Sequence, residues 1–265
     1  MVKKRLDSIL ADHALFNTKS AAAAMILSGK VKINDKVIDK AGQLFDEDFL
    51  FNEKNPAKIE IDYIPYVSRG GLKLEAAIKE FNIDLKNKIC IDIGASTGGF
   101  TDCMLSFGAK FVYALDCGYN QLCWKLQNDK RVKSIEKINV KNCSFFDVFN
   151  TNDKNQVELP EFMSMDLSFI SIKKVLENCK NFISLNASCV LLIKPQFEAQ
   201  RENIEKKGVV KDKKVREEII EDIKNYCINA GFCVLGLIES PIKGAKSKNI
   251  EYLIYLMRNK DANNN

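Results

Sequence analysis

From residue 68 onward the apolar positions fall into short runs that alternate with stretches of helical spacing. Runs near 88–93, 110–115, 133–138, 161–165, 187–193, 232–238 and 250–257 read as strands. Apolar residues three and four apart fill the gaps at 70–81, 99–107, 121–128, 171–184 and 214–229, with Ser68 placed to cap the first of these helices. Seven strands interleaved with helices predict an α/β fold, a mostly parallel seven-stranded sheet covered by helices on both faces. The first 62 residues are patterned differently. Two short helical stretches, 5–15 and 18–28, come first, the second with Thr18 or Ser20 as cap and Gly29 as stop. Then Lys30-Val31-Lys32-Ile33-Asn34-Asp35-Lys36-Val37-Ile38 alternates polar and apolar about an Asn-Asp turn, as a hairpin does. The expected organisation is a small α+β unit at 1–62, a linker at 63–67, a large α/β domain at 68–258 and a disordered tail at 259–265.

Composition narrows the chemistry. The chain has 265 residues, 46% of them apolar, enough for a sizeable core, and a net charge of +5 permits a nucleic-acid partner without requiring one. Residues 1–40 hold eight Lys/Arg against four Asp/Glu, and residues 41–62 hold two against six, so a basic face precedes an acidic one. Nine cysteines, all beyond residue 89 and none in a C-x-x-C pair, read as reduced core thiols of a cytoplasmic protein. No signal peptide or membrane-spanning run is expected. His13 is the sole histidine, so a metal site and a Ser-His or Cys-His nucleophile are both disfavoured, and acid–base work falls to lysines and carboxylates.

The stretch Ile89-Cys90-Ile91-Asp92-Ile93-Gly94-Ala95-Ser96-Thr97-Gly98-Gly99-Phe100 hands a buried strand to a glycine-rich turn and a helix start, a form that lets a ligand approach the backbone. Ser96 stands where the second glycine of a dinucleotide fingerprint belongs, so a cofactor without pyrophosphate, S-adenosylmethionine foremost, is expected here. Asp116 ends the second strand, 22 residues after Gly94, where a carboxylate suits ribose hydroxyls, and Asn139 ends the third, where an amide suits an adenine edge. A plain tight turn with helix caps would use the same residue types. Asp166 closes the fourth strand beside this site. The fifth, Cys189-Val190-Leu191-Leu192-Ile193, runs into Lys194-Pro195-Gln196-Phe197-Glu198, and partial burial suits such a lysine to act as a base. Glu251 stands at the mouth of the last strand and Lys73 on the first helix after the linker.

These segments carry two resemblances. Arg5-Leu6-Asp7, Lys19-Ser20, Ile26, Gly29, Val31, Ile33-Asn34-Asp35 and Val37 resemble the RNA-binding domain first seen in ribosomal protein S-four, over residues 3–60. Phe16-Asn17-Thr18-Lys19 departs from that domain's glycine-preceded, arginine-rich entry to the second helix, which weakens one phosphate contact. Lys73, Asp166, Lys194 and Glu251 resemble the Lys-Asp-Lys-Glu tetrad of FtsJ-like ribose 2′-O-methyltransferases. With Val67-Ser68-Arg69-Gly70-Gly71-Leu72-Lys73-Leu74, Asp166-Leu167-Ser168-Phe169-Ile170-Ser171 and Asn249-Ile250-Glu251-Tyr252, nearly the whole chain resembles the TlyA family. The resemblance implies a Rossmann-like class I methyltransferase fold and methyl transfer from S-adenosylmethionine to a cytidine 2′-hydroxyl in large-subunit, and in some members small-subunit, ribosomal RNA. It implies catalytic roles for the tetrad and cofactor contacts from Asp92, Gly94, Ala95, Ser96, Thr97, Gly98, Gly99, Phe100, Asp116, Asn139 and Asp166. Arg5, Lys19, Lys30, Lys32 and Arg69 are candidate phosphate contacts, and Phe169 a candidate for stacking on the target base. A second basic cluster, Arg201, Lys206, Lys207, Lys211, Lys213 and Lys214, is interleaved with carboxylates and reads as a solvated face. Ribosomal RNA or a ribosomal subunit is the expected partner, with no metal, no membrane, and a monomer or weak dimer. The competing readings are a non-catalytic RNA-binding or ribosome-assembly protein, a nicotinamide-dependent oxidoreductase and a haemolysin.

Overall fold

The computed structural model describes residues 3–16, 18–62, 64–151, 153, 156–205, 208–244 and 248–259. The chain divides into two compact units, Met1–Pro65 and Tyr66–Asn265, so the division falls inside the 63–67 stretch. Tyr63 of that stretch, Lys206 and Lys207 of the second basic cluster, and 260–265 of the tail lie outside the described residues. Asn259 belongs to the fold, since its N–H donates to Gly231 O at 3.0 Å.

The first unit runs β1 (Lys4–Arg5), α1 (Leu6–Asp12), α2 (Lys19–Leu27), β2 (Val31–Ile33), β3 (Lys36–Ile38), β4 (Leu44–Phe45), α3 (Glu47–Phe51) and β5 (Ile59–Ile61). Thr18 caps α2 by accepting the Ala21 N–H at 3.1 Å, and the helix stops before Gly29 at φ +69°. The hairpin forms as its turn residues require, with Asn34 and Asp35 both at positive φ. Two features have no clear signal in the sequence: β5 adds to the other edge of β2, and β1 pairs with β4. Both are only two or three residues long, too short for a period to register. Leu6, Ile9, Leu10, Ile26, Val31 and Leu50 form the core of this unit.

The second unit continues with α4 (Gly70–Glu80), β6 (Ile89–Ile93), α5 (Gly99–Ser106), β7 (Phe111–Leu115), α6 (Trp124–Gln127), β8 (Val132–Ile135), α7 (Phe145–Phe149), β9 (Phe162–Met165), α8 (Leu176–Cys179), β10 (Ser188–Ile193), α9 (Pro195–Glu198), α10 (Lys213–Asn229), β11 (Phe232–Glu239) and β12 (Tyr252–Arg258). The seven strands form one sheet in the order β11-β12-β10-β9-β6-β7-β8, parallel except for β12, which runs antiparallel to both of its neighbours. The expected mixed α/β fold with a mostly parallel seven-stranded sheet is therefore observed. Side chains alternate across the sheet. Ile91, Ile93, Leu191 and Ile193 enter one core with α10, while Cys90, Val190 and Leu192 enter the other with α4 and α5. Five of the nine cysteines, at 90, 103, 179, 189 and 227, are buried in these two cores.

Three local expectations need correction. Ser68 does not cap α4 with its side chain; Arg69 precedes the helix in helical conformation without a side-chain cap, and the Ser68 hydroxyl lies against Gly99. The predicted helix at 121–128 is confined to α6, because the Cys123 N–H is drawn to Thr97 O at 3.3 Å with Cys123 extended. The stretch 171–184 is not one helix but a 3-10 turn at Ile172–Lys174, α8 and a second 3-10 turn at Lys180–Phe182. Distant partners hold this stretch: Glu198 accepts the Ile172 N–H, and the Asn178 amide, within α8, donates to Val140 O and Cys143 O.

Candidate active site

Chain order crosses the sheet from β6 through β7 to β8 and resumes on the far side of β6 with β9, so the topological switch lies between β6 and β9. Ligands of open parallel sheets bind there, beyond the carboxyl ends of the strands. Register brings the relevant residues level. Ile93 pairs with Leu115 and with Met165, so Gly94, Asp116 and Asp166 leave their strands side by side. Ile193 pairs with Tyr252, which sets Lys194 and Glu251 at one end of an antiparallel pair.

The loop after β6 is held tightly. The N–H groups of Gly94 and Ala95 both donate to Leu115 O at 2.9 Å, and Gly94, Ser96 and Gly98 take φ of +85°, +49° and +94°. A Cβ on Gly94 would stand 2.6 Å from Asp166 O, so glycine there is a steric requirement. Asp116 closes the loop from the side, its Oδ2 accepting the Ser96 N–H at 2.8 Å and its Oδ1 the Gly118 N–H at 2.7 Å. Each oxygen keeps a lone pair for an outside donor. Asp92 lies beneath, fully buried, accepting the Thr101 hydroxyl at 2.7 Å and the Ser164 hydroxyl at 2.9 Å. It lines neither of the two clefts that open on this loop; it ties β6 to α5 and β9, and burial pushes its carboxyl up to about 6 despite the two hydrogen bonds. Gly98 is also turned away, toward Leu126.

Two adjoining clefts open on this loop. One, of about 640 Å³, is lined by Gly94, Ser96, Asp116, Asn139, Asp166 and Phe169 together with apolar Leu115, Ile138, Val140, Leu167 and Ile170. Its size is that of a small-molecule site, and it pairs one carboxylate wall with an apolar one. Asn139 is exposed on its rim, its Oδ1 accepting the Lys141 N–H at 3.1 Å. The other cleft, about 320 Å³, is lined by Ser68, Arg69, Lys73, Ala95, Thr97, Gly99, Phe100, Lys194 and Lys243, and shares Gly94, Ser96, Asp166 and Ser168 with the first.

The tetrad assembles as two ion pairs. Lys194 Nζ stands 2.6 Å from Asp166 Oδ1, a pairing outside aligned hydrogen-bond geometry, and donates to Ser168 Oγ at 2.9 Å. Lys73 Nζ donates to Glu251 Oε2 at 2.6 Å, with both side chains nearly buried at 12% and 3% exposure. Glu198 locks the surrounding loops, accepting the Ser171 hydroxyl at 2.5 Å and the Ile172 N–H at 2.8 Å, which couples the Asp166–Ser168 loop to the segment after Lys194. Desolvation raises its pKa. Phe169 projects at the mouth, 84% exposed, in left-handed backbone at φ +66° and 5.2 Å from the Phe197 ring. A bulky residue in that conformation is uncommon enough to suggest a functional position. Two of the lining residues have no signal of their own in the sequence: Ser168 lies within Asp166-Leu167-Ser168-Phe169-Ile170-Ser171, and nothing along the chain singles out Lys243.

In the first unit Arg5 is committed to Asp7, with bonds of 3.0 Å and 2.6 Å to its buried carboxylate, which they hold below the usual carboxylate range. Lys19 stands 3.9 Å from the same carboxylate, and Lys32 3.9 Å from Glu60. Lys30 has no ion-pair partner among the described residues. Among those residues, too, no cluster of three or more His, Cys, Asp or Glu is placed to hold a metal, and no helix is long and apolar enough to cross a membrane.

A parallel sheet with a glycine loop and an acidic strand end at its switch point is the frame of enzymes that bind an adenosine-containing cofactor. Comparison with known proteins narrows the class. The sequence profile of FtsJ-like methyltransferases matches residues 66–258, and that of the S4 domain matches residues 4–48. A candidate rRNA methyltransferase, YqxC of Bacillus subtilis, is 42% identical over 96% of this chain and 85% of its own length. The 16S/23S rRNA (cytidine-2′-O)-methyltransferase TlyA of Mycobacterium tuberculosis is 33% identical over 98% of this chain and 91% of its own. The solved structure of a candidate hemolysin from Streptococcus thermophilus is 38% identical with a TM-score of 0.70, covering 99% of this chain and 93% of that one. The chain belongs to the FtsJ-like methyltransferase family and carries an S4 domain ahead of the methyltransferase domain.

Proposed function

We propose that this protein transfers a methyl group from S-adenosylmethionine to the 2′-hydroxyl of a cytidine in ribosomal RNA, in the large subunit and with the small-subunit RNA as a second substrate to test. The observation that carries the reading is the Lys194–Asp166 pair standing in the same cleft as the glycine loop. The relatives' printed activities support the substrate.

The residues present fit the cofactor. Gly94 and Ser96 line the cleft floor beside Asp116, whose lone pairs are free for ribose hydroxyls, and Ile138, Val140 and Leu167 offer an apolar wall for adenine. When bound, S-adenosylmethionine supplies an already activated methyl group. What remains for the protein is to align a poor nucleophile and to handle one proton. Lys194, set by Asp166 and Ser168, receives or orients the hydroxyl proton. Lys73 and Glu251 form a rigid second pair that fixes the ribose side of the cleft, and Phe169 offers its exposed face to the flipped target base. The first unit, through Lys30 and the residual charge of Arg5, Lys19 and Lys32, brings the RNA in, and the protein acts where ribosomes assemble, in the cytoplasm.

The test is a map of 2′-O-methyl positions on ribosomal RNA from cells with and without this gene, complemented by wild type or by Lys194→Ala. A cytidine methylated with wild type, and unmethylated without the gene or with Lys194→Ala, is expected; loss of transfer of about 10²–10⁴-fold follows from removing a positioned proton-transfer group. Identical maps in all strains refute the function, and full methylation by Lys194→Ala refutes the role of Lys194.

A further inference from the structure

Four cationic side chains line the cleft in front of the glycine loop: Arg69, Lys73, Lys194 and Lys243. Two are balanced within the protein, Lys73 by Glu251 and Lys194 by Asp166. The side chains of Arg69 and Lys243 have neither an ion-pair nor a hydrogen-bond partner among the described residues. The mouth therefore carries two uncompensated positive charges from opposite ends of the domain sequence.

We propose that Arg69 and Lys243 form an anion subsite that takes a backbone phosphodiester of the RNA next to the target ribose, an inference that rests on the function proposed above. In any RNA the charged group nearest a 2′-hydroxyl is the phosphate on the neighbouring 3′-oxygen. A site that must present one 2′-hydroxyl to Lys194 gains a sequence-independent handle by holding that phosphate, because phosphate contacts set register while base contacts set identity.

Both cations ride on the pieces that carry the Lys73–Glu251 pair. Arg69 immediately precedes α4, one turn before Lys73. Lys243 sits in a turn held at both ends. Ser240 Oγ donates to Ile242 O at 2.8 Å, Gly244 N–H donates to Asn249 O at 3.0 Å, and Lys248 N–H donates to Gly244 O at 2.9 Å. A Cβ on Gly244 would stand 2.8 Å from Glu251 Oε1, so the turn is seated directly on that carboxylate. An anion bridging Arg69 and Lys243 is thereby placed in fixed register with Lys73, Glu251 and Lys194.

The carboxylate of the cofactor's methionine end is the other anion that such a pair could hold, and the two sources separate experimentally. The full-length protein is compared with Arg69→Gln, Lys243→Gln and the double variant, with Arg69→Lys and Lys243→Arg as charge-preserving controls and thermal melts to confirm folding. Two affinities are measured: that for ribosomal RNA from cells lacking this gene, by filter binding between 50 and 200 mM KCl, and that for S-adenosylhomocysteine, by calorimetry. Loss of this one contact to single-stranded phosphate should flatten the log–log salt slope by about 0.7, so across that range the double variant loses about 2.6-fold less RNA affinity than wild type. S-adenosylhomocysteine should bind all variants alike, and the charge-preserving controls should keep the wild-type slope. An unchanged RNA slope in the double variant overturns the proposal, whether or not cofactor affinity falls; a fall in cofactor affinity alone reassigns the pair to the carboxylate. Methyl transfer by wild type is scored separately, so failure of the subsite and failure of the methyltransferase reading give different results.

Discussion

Asp92 should make this protein less stable as pH rises through the range from about 4 to about 6, and Asp92→Asn should remove that dependence. The carboxyl is fully buried, and its pKa rises from an ordinary 3.8 to about 6, chiefly through desolvation. Between those values the folded state holds a proton that the unfolded chain has released, so stability is highest below the unfolded pKa and falls as pH rises through the folded one. The rise from 3.8 to about 6 corresponds to about 3 kcal/mol over the whole window, and roughly half of it develops between pH 5 and pH 8. Asparagine can keep the local bonding. Its carbonyl can accept the Thr101 hydroxyl, and its amide can donate to Ser164, whose own proton can turn to Met104 Sδ at 3.8 Å. Urea unfolding of wild type and Asp92→Asn at pH 5 and pH 8 isolates the effect, because other titrating groups cancel in the difference. The variant should gain roughly half of that about 3 kcal/mol on wild type between the two conditions. A difference that stays constant with pH, or grows in the opposite sense, refutes the reasoning.

Two further outcomes follow from the site. Lys73→Ala leaves Glu251 buried at 3% exposure without its counter-charge, which should cost about 3–5 kcal/mol in chemical denaturation, while the paired replacement Lys73→Met with Glu251→Gln should recover stability but not methyl transfer. Gly94→Ala puts a Cβ 2.6 Å from Asp166 O in a backbone at φ +85°, so S-adenosylhomocysteine binding by calorimetry should fall at least tenfold; unchanged affinity would show that the loop can move aside.

Much of this molecule is legible along the chain because its signals are local. The runs at 89–93, 111–115 and 188–193 are strands because continuous apolar segments of that length can be buried on both faces of a sheet, and glycines at 94 and 98 announce a turn that needs positive φ. The Ser144–Asp147 capping box that starts α7 is equally local, a serine with an acidic side chain three residues on. Elements whose residues answer to distant partners were not legible. Within 171–184, Ile172 answers to Glu198, 26 residues away, and Asn178 to the carbonyls of Cys143 and Val140, 35 and 38 residues away, while β5 pairs with the edge that β2 offers.

The site divides the same way. Sequence alone determined which residues are candidates for the chemistry: a glycine loop, an acidic strand end, and the Lys-Asp-Lys-Glu set in order. Only the tertiary structure decided how those charges pair. Lys73 and Glu251 are 178 residues apart and meet because β12 returns antiparallel beside β10, while Lys194 meets Asp166 because β9 and β10 are parallel neighbours. The same folding turned Asp92 from a candidate ligand contact into a buried strut and left Arg69 and Lys243 as cleft cations without an ion-pair partner among the described residues. Pairing depends on distances in three dimensions, and those are set by strand order and register rather than by spacing along the chain.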